Sequence, residues 1–263
     1  MIIHIIAYLV VGILSGILAG LLGIGGGIII VPSLFFLYTF LDVGIASPMH
    51  VAVGTSLAII TVTSVVAMLL YEKRQAIFWS VFKQINIPLI IGSFLGVLVS
   101  YLLTGEILSQ IFAGFALLFG AYFLFFKKVH KRHKKPEKLL SIFLGLAIGV
   151  LATMLGIGGG VIGMPLFIML LRVPNYSLVG TAATATFITS LVGTLSYLIT
   201  GFNIIDNIHS IGYIHLPSFA SIGIISIFSV YFGIKLADKL HVRVLKKIFA
   251  LALIATSIFM FFK

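Results

Sequence analysis

Two runs of glycine are the first groups in this sequence that could do chemistry. Leu22-Gly23-Ile24-Gly25-Gly26-Gly27 is followed five residues on by Pro32, and Leu155-Gly156-Ile157-Gly158-Gly159-Gly160 repeats it, with Pro165 at the same spacing. Both runs lie in strongly apolar sequence, where each glycine costs a helix about 1 kcal/mol relative to alanine. Unwinding at Gly25–Gly27 and Gly158–Gly160 would expose backbone N–H groups at the start of the following helix. There the macrodipole is worth about half a positive charge, and such an end binds anions without any basic side chain. Non-helical backbone at membrane depth is tolerated only where protein or a wet cavity satisfies it, so cavity and anion site form one expectation. Close helix packing or a tight hairpin turn is the other reading of the same glycines. A nucleotide-binding reading fails, because no strand–helix unit and no Lys-Ser/Thr pair follows.

Thr55 and Ser56, with Thr181 and Thr184 in the second half, lie just inside apolar stretches and offer hydroxyls to an oxyanion. Their competing use is to bond back to the preceding helical turn. His50 is the candidate for a proton-linked group, since imidazole titrates in the physiological range, against a histidine simply wetted at the membrane interface. His4, His209 and His215 show no supporting constellation in the sequence. No Asp or Glu falls at the centre of an apolar stretch, which argues against a carboxylate proton relay or a cation cage. Without cysteine there is no thiolate metal site, iron–sulfur cluster or cysteine nucleophile. Intramembrane carboxylate pairs and a GxSG-type turn are also lacking, so the chain is not read as an enzyme, and no cofactor or metal is expected.

The elements that position these groups follow from hydropathy. The 263 residues are 61% hydrophobic and 9% charged, with a mean hydropathy of +1.27, far from the roughly half-apolar, quarter-charged make-up of soluble domains. Ten apolar stretches span 2–22, 28–41, 50–71, 84–104, 107–126, 139–155, 161–171, 177–200, 214–236 and 245–262. The stretches after the glycines are too short for a full span of about 20 residues and read as half-helices. Small residues spaced by four at Gly12, Gly16 and Gly20, at Gly92 and Gly96, and at Gly145 and Gly149 are packing signals.

The ten stretches form two sets of five: residues 1–126 and 139–263, joined by a basic linker, 127–138. Val53-Gly54-Thr55-Ser56 returns as Val179-Gly180-Thr181-Ala182, and Ile111-Phe112-Ala113 as Ile248-Phe249-Ala250. The net charge of +11 is then a matter of sidedness. With the linker cytoplasmic, 16 of the 17 Lys and Arg residues fall inside and only Lys263 outside, as the positive-inside rule asks. That holds if stretches one and two make an even number of crossings, and six and seven likewise. Each half is then odd, the second copy is inserted upside down, and both termini lie outside. The expectation is an all-α polytopic membrane protein of two inverted-topology repeats with Gly-broken helices or hairpins, an arrangement typical of transporters. Nucleic acid is not an expected partner. A small anion and the lipid bilayer are; a coupling proton or ion and a homodimer stay open.

The duplicated L-x-G-x-GGG block with its downstream proline, together with the V-G-T-S and V-G-T-A repeats, resembles the sulfite exporter TauE/SafE family of bacterial membrane permeases over essentially the whole chain. The resemblance implies a plasma-membrane carrier for small anions such as sulfite, sulfonates or sulfoacetate. By motif match it places the site on Gly25, Gly26, Gly27, Pro32, Thr55 and Ser56, and on Gly158, Gly159, Gly160, Pro165 and Thr181. Ala182 stands where the first half has Ser56, one hydroxyl fewer. An anion channel or passive pore is the alternative, as is a non-transporting interaction protein that docks through the basic linker.

Overall fold

The computed structural model of the chain describes residues 2–40, 45–125, 138–171, 173–202, 209–237 and 242–261. Linker residues 127–137, Arg172, Lys239 and Lys263, which entered the sidedness argument, lie outside the described residues. Ten helices match the ten apolar stretches: α1 (Ile2–Leu22), α2 (Gly27–Phe40), α3 (Pro48–Lys73), α4 (Trp79–Leu102), α5 (Gly105–Phe125), α6 (Lys138–Met154), α7 (Gly159–Met169), α8 (Asn175–Thr200), α9 (Leu216–Ala237) and α10 (Val242–Phe261). Helices α3, α4, α8 and α9 are long and apolar enough to cross a membrane. One element went unforeseen, a two-strand ladder of β1 (Ser210–Ile211) and β2 (Ile214–His215) before α9. Gly212, at φ +57°, makes its turn in the left-handed region that glycine enters without a Cβ penalty.

The surface is inside-out by soluble standards. Large apolar side chains such as Ile87, Phe94, Leu118, Phe143, Ile224 and Phe228 face outward, whereas Thr55, Ser56, Thr63, Ser93, Thr153, Thr186 and Ser226 are buried. Most of these hydroxyls bond to a carbonyl one turn back, as Ser93 does to Leu89 O and Thr186 to Ala182 O. That is the arrangement lipid selects, since polar groups facing hydrocarbon find no partner.

The packing pairs repeat. Helix α1 lies along α9 and α6 along α4; α3 faces α8, and α5 faces α10. Exchanging the first five helices for the last five maps these pairs onto one another. Gly12, Gly16 and Gly20 meet Ile225, Ser226 and Val230 in turn, so α1 and α9 run parallel with backbones in close approach, the use expected for small residues. The corresponding helices of the two halves run antiparallel: Leu57 touches Gly193 in α8 while Tyr71 touches Gly180, and Ser257 of α10 bonds Ala113 O while Ala250 touches Gly120.

The chain enters as α1 from the end of the bundle that carries the β-ladder, here the ladder end, and returns to it as α2. Helices α6 and α7 make the equivalent hairpin from the opposite, linker end. A Cβ at Gly16 would lie 2.5 Å from Ser226 O and 2.6 Å from Ser229 Cβ, whereas one at Gly114 would meet nothing within 4 Å. Gly16→Val is therefore expected to destabilise the detergent-solubilised protein by about 1–3 kcal/mol through overpacking, and Gly114→Ala, inside α5, to raise its melting temperature slightly, since alanine is the better helix former. Thermal melts of the two variants check this.

Candidate functional site

The two glycine breaks meet at mid-bundle, on the line where α3 and α8 cross the interior. Ile60 and Thr186 sit near the midpoints of these 26-residue helices. Gly23, Gly25 and Gly26 have φ of +64°, +76° and +76°, and Gly156 and Gly158 have +69° and +72°, turns that L side chains resist. The loops pass each other in contact. A Cβ on Gly27 would lie 2.5 Å from Gly156 O, and one on Gly160 would lie 2.5 Å from Gly23 O. These are the close approaches that the triple glycines permit, and they close the hairpin expectation as well: α2 and α7 begin at the crossing and run outward to opposite ends.

Each break leaves a buried carbonyl that the other half satisfies. Ser56 donates to Gly156 O at 2.8 Å, and Thr186 donates to Gly23 O at 3.1 Å. The two hydroxyls are not at corresponding positions. Where the second half has Ala182 in place of Ser56, Thr186 supplies the bond from one turn further along.

The N–H groups are treated differently in the two halves. Gly159 N–H donates to Thr189 Oγ1 and Gly160 N–H to Thr186 Oγ1, both at 2.8 Å. The corresponding positions in α3 are Thr63, whose hydroxyl bonds Ile59 O and Ile60 O, and Ile60, which has none. Among the described residues no acceptor meets the N–H groups of Gly26 and Gly27. Helix α7 starts at Gly159, but α2 starts only at Gly27, the counterpart of Gly160, so α2 begins one position later in the repeat. Of the two helix ends expected to face an anion, that of α2 alone keeps these N–H groups open. Ile60 packs over Gly25 and Gly27 and closes the site.

The other predicted site residues have structural partners. Thr55 accepts His215 N–H at 2.9 Å and Thr181 accepts Phe78 N–H at 2.8 Å, while Gly54 and Gly180 let the backbones of Tyr213 and Ala76 approach. The Val-Gly-Thr motif is thus a socket for the segment entering α9 or α4. Thr184 bonds back to Gly180 O. His50 Nε2 meets Ser100 O at 3.0 Å and its ring lies against Tyr213, remote from the crossing. Pro32 lies inside α2 and lines an apolar cavity of about 560 Å³ between α1, α2 and α10; Pro165 lies inside α7.

Residues missed by the sequence reading include Ile60, Thr186 and Thr189, which the spacing of the Val-Gly-Thr repeats would have paired. His215, with no constellation in the sequence, has one in space: its Nδ1 lies 2.8 Å from Ser218 Oγ, and its ring meets Tyr38 edge-on at 5.4 Å.

A family model described as "Sulfite exporter TauE/SafE" matches residues 8–260. A probable membrane transporter protein of Haemophilus influenzae is 34% identical over 257 residues, covering 97% of each chain. One of Methanocaldococcus jannaschii is 31% identical, covering 90% of this chain and 89% of its own, and one of Bacillus subtilis is 30% identical, covering 73% and 77%. No solved structure matches.

Thr186→Val removes the partners of Gly23 O and Gly160 N–H together. At about 1–3 kcal/mol for each orphaned buried group, a loss of about 2–6 kcal/mol is expected in denaturant or thermal unfolding. Thr184→Val, which removes only a back-bond, is expected to stay within about 1 kcal/mol of wild type.

Proposed function

The chain belongs to the sulfite exporter TauE/SafE family of membrane transporters, and we propose that it carries a small sulfur-containing or organic oxyanion, such as sulfite, a sulfonate or sulfoacetate, across the plasma membrane by alternating access. The crossing of the two glycine breaks supports this most directly. It puts the open N–H groups of Gly26 and Gly27 at the positive end of α2, at mid-bundle, with no basic side chain to hold the ion too tightly. Backbone donors at a helix start suit oxygen atoms of any oxyanion, and the carrier is selective through the space Ile60 leaves when it withdraws.

The halves act as inverted-topology repeats that rock about the crossing. The antiparallel course of α3 against α8 and of α5 against α10 supports this, because a two-fold axis lying in the membrane plane relates helices that run in opposite directions. Lys73, Arg74, Lys83, Lys138 and Lys235 gather toward the linker end, which the positive-inside rule makes cytoplasmic. The ladder end and both termini then face outward.

Reconstituted proteoliposomes offered sulfite, methanesulfonate, sulfoacetate and acetate are expected to show saturable uptake and counterflow for at least one of them. Flux of none would overturn the proposal, and flux without counterflow would make the protein a pore. Ile60→Thr supplies the first half with the hydroxyl the second half already has. It is expected to cap Gly27 N–H and lower flux about tenfold or more, since a hydrogen bond to a charged group is worth about 1.5–3 kcal/mol and 1.4 kcal/mol is tenfold. The natural chain has no cysteine, so single cysteines report sidedness. Glu106→Cys is expected to label with an impermeant maleimide from outside intact cells, and Glu72→Cys only after permeabilisation.

A further inference from the structure

At the ladder end a second polar group is buried between the helices. Tyr38, near the end of α2, has its hydroxyl fully enclosed beside Ser218 and Thr55 but outside hydrogen-bonding geometry, so it makes no bond within the protein. Tyr8 of α1 also brings its hydroxyl beside Ser218. Thr55 is 0% exposed, Ser218 0% and His215 4%.

Three protons of this cluster have no acceptor in hydrogen-bonding geometry. Thr55 Oγ1 accepts His215 N–H, and no acceptor among the described residues takes the Thr55 proton. His215 Nδ1 and Ser218 Oγ share one bond. Whichever atom donates, one proton of the pair stays free: Nε2–H in one tautomer, the Ser218 O–H in the other. With Tyr38 O–H that leaves three protons without an acceptor, and burying a polar group without a partner is unfavourable. Burial, and the nearby His209 in the same sense, pulls the His215 imidazole down to about 4, so the donors are neutral at physiological pH.

The fold itself does not require these groups. By the offsets of the repeat, Tyr38 corresponds to Leu171, His215 to Phe78 and Ser218 to Val81. At the linker end that corner is part of the apolar core, with Leu171 at 1% and Val81 at 3% exposure. The same backbone junction, with Thr181 holding Phe78 N–H as Thr55 holds His215 N–H, therefore packs with no counterpart of the Tyr38 and Ser218 hydroxyls or the imidazole. These three groups appear at one end only.

We infer that Tyr38, Thr55, His215 and Ser218 form a second anion-binding station, on the ladder-end route to the crossing, which takes a small oxyanion through neutral hydrogen-bond donors. An oxyanion offers acceptors only and so can take the unpaired protons of this cluster. The inference rests on the transport reading above, and it makes that reading polar in direction: an ion coming from the ladder end meets a station that the linker end lacks.

The test uses the full chain in proteoliposomes, with sulfite and methanesulfonate as probes, and Tyr38→Phe beside Tyr197→Phe. Tyr197 O–H donates to Ser100 Oγ at 2.6 Å and serves as the structural control. Tyr38→Phe is expected to raise the KM for entry from the ladder end about tenfold, with maximal flux changed less than twofold and an unliganded Tm equal to wild type or higher. Tyr197→Phe is expected to lower Tm and leave KM alone. An unchanged KM in Tyr38→Phe, while wild type transports, overturns the second station and leaves the transport reading standing. A lowered unliganded Tm shows that the hydroxyl is structural and overturns it too. Absence of flux in wild type removes both.

Discussion

Within the hydrocarbon core of a bilayer, a backbone N–H or C=O that lacks a partner inside the protein has none at all, and this single constraint organises the structure. A chain of unbroken helices would meet it trivially. This chain breaks its helices twice, at Gly23–Gly26 and Leu155–Gly158, and must then find partners for the freed groups at the deepest point of the bundle. It does so by crossing the two breaks, so that Ser56 and Thr186 each reach a carbonyl belonging to the opposite half. The interior hydroxyls, the close-packed glycines and the pairing of α3 with α8 all serve that crossing. Because each half completes the other, neither break can be satisfied by its own half alone.

What was legible in the sequence follows from which forces act locally. Hydropathy marks helices almost residue by residue, since α1 begins and ends where the first apolar stretch does, and α2 and α7 are as short as their stretches. Triple glycine announces a break because its backbone cost is local. The partners of the break were illegible, because they depend on which helix faces which. Thr55 and Thr181 read as substrate ligands, and in the structure they hold the N–H groups of His215 and Phe78, a long-range contact that no periodicity encodes. The nearest polar neighbours of His215 in sequence are Tyr213 and Ser218, and the cluster with Tyr38 and Thr55 exists only once α2, α3 and α9 are brought together.

Duplication supplies the scaffold, and divergence between the copies supplies the chemistry. At Gly54 and Gly180 and at Thr55 and Thr181 the two halves keep the same residue type, and it packs or pins a segment in the same way in both. At other positions the copies differ, and a polar group is left open in one of them. Ile60 against Thr186 leaves the Gly27 N–H open, and Tyr38 and His215 against Leu171 and Phe78 place a phenol and an imidazole at one end only. A symmetric scaffold can move between two related states, but a difference between the halves is needed for the two faces of the membrane to be treated differently.

The absence of charge along this route has its own logic. A lysine or arginine at mid-bundle would bind an anion strongly, but the empty site would then hold an unpaired charge in a low-dielectric interior, which is costly in every step of the cycle that lacks the ion. Neutral donors avoid that. The N–H groups of Gly26 and Gly27 carry only the partial charge of a helix end, about half a unit, and Ile60 can cover them when no ion is present without leaving a formal charge unpaired. The same reasoning applies at the ladder end, where an imidazole held neutral by burial and three hydroxyls replace a cation. Weak, neutral coordination at successive points lets an ion bind at each and leave it, which is what a carrier needs and a tight binding protein does not.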